Sequence, residues 1–319
     1  MLLGDTLELR HGPWRDMLAA ATPALAEIGA AMAGGEIVLV PGNHDHALAG
    51  RALEDGPDLG LERRFAPEAA SPIAAAVAAA LAPARVAVAY PGLWIRDDVY
   101  ATHGHYLDVH TKVPIVERLA AGVMRRLAGA PPADGAAPAD YEAVLAPLYA
   151  WSHAAAQRTR QGRAAGDSRS PTIWKLLTGS GRRRSLRARA LRIAFPLAVR
   201  GLNRAGIGPL EADISGEALR RGGLAAMREA VRSLGIAAPH VIFGHTHRTG
   251  PLPADDPAEW GPLHNTGSWV LQGHFVERAA MRGPYWPGGA ILVEDGAPPR
   301  LLRLLDDVAP EALRAPGPA

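Results

Sequence analysis

The chain has no cysteine in 319 residues, which excludes disulfides and thiolate ligands, so any metal shell must come from His, Asn, Asp or Glu. The absence of thiols also suits a reducing compartment. Aromatic residues make up only 5% of the chain, lysine occurs only at Lys112 and Lys175, and the formal net charge is +2. Such a balance argues against nucleic acid as a partner. The dominance of Arg over Lys, beside abundant Ala, Gly and Pro, reads as a compositional bias. No stretch reaches the ~18–20 uncharged apolar residues of a membrane span, and no basic start with an apolar run and a small-residue cleavage site opens the sequence. These absences lead to the expectation of a cytoplasmic protein. With 48% hydrophobic residues the chain can bury a substantial core, and one large domain carrying an insertion is expected.

Trp14, Leu18, Ala21, Leu25, Ile28 and Met32 alternate spacings of four and three, which predicts an amphipathic helix over 13–33, opened by Pro13 and stopped by Gly34-Gly35. A strand over 36–41 follows, then an Ala-rich helix over 72–82 and strands over 86–90 and 99–102 joined by Pro91-Gly92. This alternation indicates the α/β class. The interval between His103 and His245 is longer than a crossover needs and reads mainly as helices, over 113–128, 140–160, 172–178, 184–204 and 216–234. It is expected to form a helical insertion over 111–235, with Ala130 to Pro138 as a link between two of its helices. Ser215 would cap the last helix, whose Leu224, Met227, Val231 and Leu234 form one buried stripe. Strands over 263–271, 289–294 and 300–305 are expected to build a second sheet, followed by a flexible tail over 309–319.

Four short stretches carry the chemistry: Gly4-Asp5, Gly42-Asn43-His44-Asp45, His103-Gly104-His105 and Gly244-His245-Thr246-His247. Each follows an apolar run, so each would sit where a buried strand ends, and ligands at strand ends converge on one rim of a sheet. Two divalent cations ~3.5–4 Å apart need a carboxylate that touches both and neutral N or O donors around it. Asp5 suits the bridge, Asn43 offers an amide oxygen, and His103, His245 and His247 offer imidazole nitrogens. This mixed set suits Mn, Fe, Zn, Ni or Co better than Ca or Mg alone. His44, beside Asn43, is the natural general acid, with Asp45 expected to orient or charge-stabilise its ring.

The ordered set of turns resembles the calcineurin-like metallophosphoesterases, over the chain from its first residues to about residue 270. Gly4-Asp5-Thr6-Leu7-Glu8 and Asn265-Thr266-Gly267-Ser268-Trp269 resemble, in part, the branch containing UDP-2,3-diacylglucosamine hydrolases. The sequence departs from that branch at His44, where Arg is common. What the resemblance implies is a layered α/β/β/α sandwich with a helical lid and two divalent metals, manganese first. It also implies hydrolysis of phosphoesters or pyrophosphates by a hydroxide that the two metals activate. A nucleotide-sugar lipid is the leading substrate class; cyclic nucleotides, dinucleoside polyphosphates, phosphoproteins and nuclease substrates are alternatives. The family opens with an Asp-x-His turn on its first strand, and none precedes Asp5. The expectation is therefore a metallophosphoesterase domain over 1–308 that is truncated at its N-terminus and lacks its first strand. One metal would keep Asp5 and His247, and the other Asp5, Asn43, His103 and His245. The competing expectation is a catalytically impaired module that keeps the fold and binds a partner.

Glu8, His105 and Asn265 are secondary candidates, as supports behind the ligands or as substrate contacts. His11, His46, His110, His153, His240, His264 and His274 read as surface or packing residues, and Trp151 and Trp174 as helical core. The Arg-rich stretch Arg182 to Arg189, continuing to Phe195 within 182–200, can meet anionic lipid head groups at the inner face of a membrane or a substrate pyrophosphate. A solvated helix face is the plainer reading of the same residues.

Overall fold

The computed structural model describes residues 1–54, 58–113, 116–158, 186–213, 216–271 and 283–313. Outside them lie the expected helix over 172–178 with Trp174, the cap Ser215, His274, Arg182 to Ser185 and the tail beyond residue 313.

Eight strands form one mixed sheet: β1 (Leu2–Leu3), β2 (Glu36–Val40), β3 (Glu62–Phe65), β4 (Arg85–Arg96), β5 (Val99–Thr102), β6 (His240–Phe243), β7 (Thr249–Gly250) and β8 (Leu263–Thr266). The order is β1-β2-β4-β5-β6-β8-β7, with β3 beside β4. Parallel pairs join β1 to β2, β2 to β4, β5 to β6 and β6 to β8. The sheet curls, so that Leu3 O on β1 accepts a hydrogen bond from His103, just past β5. β9 (Gly289–Leu292) and β10 (Arg300–Arg303) make a separate antiparallel pair. The helices are α1 (Trp14–Ala31), α2 (Gly50–Glu54), α3 (Pro67–Ala70), α4 (Pro72–Ala80), α5 (Val116–Ala128), α6 (Pro138–Gln157), α7 (Leu186–Arg204), α8 (Gly216–Ser233) and α9 (Pro257–Trp260). Among the described residues, no helix is long and apolar enough to cross a membrane.

Within β2 the run Ile37 to Val40 is uninterruptedly apolar for a physical reason. Ile37 and Leu39 pack under α1 and α4, while Val38 and Val40 pack on the opposite face with Ile291 and Val293 of the small sheet. Side chains alternate across a strand, so covering both faces requires every position to be apolar. The expected stripe of α8 is buried, with Leu224, Met227 and Val231 packed against Val241, Phe243 and Leu263. α6 instead packs Tyr141, Val144, Leu145 and Tyr149 on Tyr106 and Val109 in the 3₁₀ turn after β5. Both helices thereby rest beside the strand ends that carry the motifs.

Trp151, expected in a helical core, is exposed on α6, and three further expectations are corrected. Pro91-Gly92 does not separate two strands; it lies inside β4, and the hairpin to β5 turns at Asp97-Asp98. Proline lacks a ladder donor and is tolerated at an irregularity, and Pro91 sits where Glu62 of β3 pairs with two residues of β4. The strand at 263 ends at Thr266 and joins the first sheet through β6, because a short connection through α9 returns it parallel to its neighbour. On α1, Ile28 and Met32 are exposed, although Trp14, Leu18, Ala21 and Leu25 join the core. The contact face there is the helix backbone itself at Gly29, where a Cβ would stand 2.1 Å from Leu81 O. Gly29→Ala is therefore expected to destabilise the fold by about 1–3 kcal/mol through overpacking, measured as a lowered urea midpoint at unchanged slope.

Candidate metal centre

Four turns at the ends of β1, β2, β5 and β6 bring their polar side chains to one place. Asp5, His245 and His247 have φ of 52°, 62° and 59°, and are the non-glycine residues with positive φ among those described. L-residues pay of order 1–3 kcal/mol for such a conformation, and it persists where the surroundings demand it. Gly4 and Gly42 answer a second demand, close approach. A Cβ on Gly4 would come within 2.0 Å of the His103 ring, and one on Gly42 within 2.4 Å of Asp5 Oδ1.

Asp45 ties the first two turns together. Fully buried, its carboxylate accepts from the backbone N–H groups of Gly42 at 2.7 Å, Thr6 at 2.7 Å, Asp5 at 3.2 Å and Leu7 at 3.3 Å. Burial and the neighbouring Asp5 charge push its pKa up to about 6. The expected role of Asp45 as orienter of His44 is thus corrected, since its oxygens are committed to four amides. Glu8 takes that role instead, through Oε2 to His44 Nδ1, with the Arg10 guanidinium against the same ring. Burial alone would raise the Glu8 carboxyl, but its hydrogen bond to His44 and the charges of His44, Arg10 and His11 bring it below its usual value.

The ligand candidates meet as follows. Asn43 Oδ1 lies 3.2 Å from His103 Nε2 and 3.2 Å from His245 Nδ1, and Asp5 Oδ2 lies 3.3 Å from His103 Nε2. Each ring is committed on its far side. His103 Nδ1 donates to Leu3 O at 3.1 Å, and His245 Nε2 donates to Asp108 Oδ1 at 3.0 Å. A carbonyl can only accept, so in its neutral form the His103 ring turns its lone pair toward Asn43 and Asp5, and in its protonated form it donates to them; His245, with Nε2 on Asp108, has the same two states toward Asn43. With both rings neutral, acceptor atoms face acceptor atoms across gaps that a cation would fill. Metal bonds of about 2.0–2.2 Å hold neighbouring ligands roughly 3–3.5 Å apart, and the ligand atoms of Asp5, His103 and His245 all lie within 4.8 Å of one another. This buried Asp/His/His group can hold a metal ion. Burial would raise the Asp5 carboxyl, while His103 and then His44 hold it well below the carboxylate range.

The remaining candidates divide. His247 lines the same cavity but is not part of the close Asp5–His103–His245 group; burial and the nearby His245 push its ring down to about 4. Asn265 supports the last turn, with Nδ2 donating to Gly244 O and Thr246 Oγ1 at 3.2 and 2.7 Å. His105 does not face the cavity. It is buried behind His103, ring centroids 5.7 Å apart, with Nε2 3.2 Å from Tyr90 OH. Asp108 escaped the reading of the sequence because it lies outside any motif, whereas His46, read as a surface or packing residue, is buried with Nε2 3.0 Å from Glu142 Oε2. The signal for Asp108 was its place in the turn Tyr106-Leu107-Asp108-Val109, a charge among residues otherwise suited to a core.

A cavity of about 280 Å³ is lined by Asn43, His44, Asp108, His245 and His247, and also by Arg220, Arg248 and Tyr285. No family model, no curated protein and no solved structure matches the chain. In Asp45→Asn one carboxylate oxygen becomes an NH₂ that must face backbone donors. Stability is expected to fall by about 1–3 kcal/mol for each donor left unpaired, read by chemical denaturation.

Proposed function

We propose that this chain is a metal-dependent hydrolase of phosphoesters or pyrophosphates. The observation that carries the reading is the convergence of the Asp5 and Asn43 side-chain oxygens with one ring nitrogen each of His103 and His245, whose other nitrogens are engaged by Leu3 O and Asp108. Asp5, Asn43, His103 and His245 would hold one cation, and Asp5 with His247 would contribute to a second beside it. Manganese is the first choice, and Fe, Zn, Ni or Co also match this donor set. Bound divalent metals supply Lewis acidity and water of lowered pKa. On this reading the fold is the layered α/β/β/α sandwich that the motif order implies, with the cytoplasm as its setting and a nucleotide-sugar lipid as the leading substrate class.

The chain's own groups do the rest. Glu8 engages His44 Nδ1 while the Arg10 guanidinium contacts Nε2, which lies 3.8 Å from Asp5 Oδ2, so withdrawal of Arg10 would let Nε2 pass a proton to the leaving oxygen. Asp108 and the Leu3 carbonyl hold His245 and His103 in the tautomers that ligation needs, as partners behind metal-binding histidines generally do.

Asp5→Ala and His103→Ala are each expected to abolish Mn-dependent hydrolysis of an aryl phosphate ester; unchanged turnover in either would overturn the assignment. His44→Ala should keep Mn²⁺ binding while kcat drops about 10²–10⁴-fold, a split resolved by calorimetry beside steady-state kinetics.

A further inference from the structure

The helical segment between His103 and His245 reaches the metal turns through one buried carboxylate. Glu142 on α6 is 9% exposed. Its Oε1 accepts from Tyr90 OH and from Tyr106 OH, both at 2.5 Å, and its Oε2 accepts from His46 Nε2 at 3.0 Å. These donors come from separate places. His46 opens the 3₁₀ turn that follows Asp45, three positions after Asn43, and Tyr106 belongs to the turn that follows Gly104, three positions after His103. Tyr90 lies on β4 between the two strands that end in those turns, and its hydroxyl, already donating to Glu142, accepts from His105 Nε2 at 3.2 Å.

The chemistry of this hub is demanding. A carboxylate buried among tyrosines and histidines persists only while its donors stay in place, because a buried charge that loses a partner is strongly unfavourable. Burial would raise the Glu142 carboxyl, but the His46 charge and the donors from His46, Tyr106 and Tyr90 bring it below its usual value. The Asn43 turn and the His103 turn are thereby held to the same two oxygens.

We propose that Glu142 is a positioning residue for the metal centre, fixing the separation of Asn43 and His103 from within the helical segment. The proposal rests on the metal-binding reading above. Glu142 touches neither ligand, so its effect would be carried through His46, Tyr106 and His105, whose ring lies against that of His103.

The test is Mn²⁺ affinity of the full chain by isothermal titration calorimetry, with apo melting temperature measured alongside. In Glu142→Gln the amide has one accepting oxygen, and its NH₂ must face a donor. Affinity is expected to fall about ten- to a hundred-fold, the usual effect of losing a partner behind metal ligands. Tyr106→Phe removes one donor and keeps the carboxylate, so a smaller fall is expected; it carries the comparison should Glu142→Gln not fold. Leu145→Ala, which opens the same core cluster on α6, should lower the melting temperature and leave affinity within about twofold, the change expected from packing loss without a lost donor. Wild-type affinity in Glu142→Gln would overturn the proposal, as would an equal loss in Leu145→Ala. Absence of Mn²⁺ binding in the wild-type protein would instead remove the metal reading itself, and this proposal with it.

Discussion

Lone pairs pointed at one another are unfavourable unless a positive charge sits between them. That constraint organises this molecule around Asp5, Asn43, His103 and His245. Two of these side chains are imidazoles whose far nitrogens face Leu3 O and Asp108, so in the neutral form their inward nitrogens have nothing to donate. The remaining two offer only oxygen toward the centre, Asn43 through its carbonyl and Asp5 through its carboxylate. A packed core has no use for such an arrangement, and a divalent cation does.

Holding four turns in that opposition requires connections between them, and buried acids supply these in sequence. Asp45 joins the Asp5 turn to the Asn43 turn through backbone amides. Glu142 joins the Asn43 turn to the His103 turn through His46 and Tyr106. Asp108, three residues past His105, joins the His103 turn to His245. Positive φ at Asp5, His245 and His247 shows the same demand on the backbone. The sheet does the coarse work of bringing the strand ends together, and the acids set the final spacing.

The motifs were legible because each is local. A strand end, a glycine and a ligand occupy neighbouring positions, so Gly4-Asp5 or Gly244-His245-Thr246-His247 is visible without the fold. Helices α1, α4, α6 and α8 were legible for a similar reason, since an apolar period or a proline start is written within one element. Errors arose where two elements decide together. Pro91-Gly92 reads as a break until β3 is seen to absorb the irregularity, and the strand at Leu263 reads as second-sheet until it is found beside β6. Asp45 was assigned to His44 by adjacency, whereas three of its four amide partners, those of Asp5, Thr6 and Leu7, lie about forty positions away.

The identity and order of the candidate ligand residues, the absence of thiols and the alternation of helices and strands were determined by the sequence alone, because each depends on residue type and short spacing. Which nitrogen of each histidine faces inward, which carboxylate joins the Asp/His/His group and which braces backbone amides, and whether His105 meets solvent or core were decided only by tertiary structure. The physical reason is that a hydrogen-bonding group takes its role from its partner, and here the partners are supplied by segments remote in the chain.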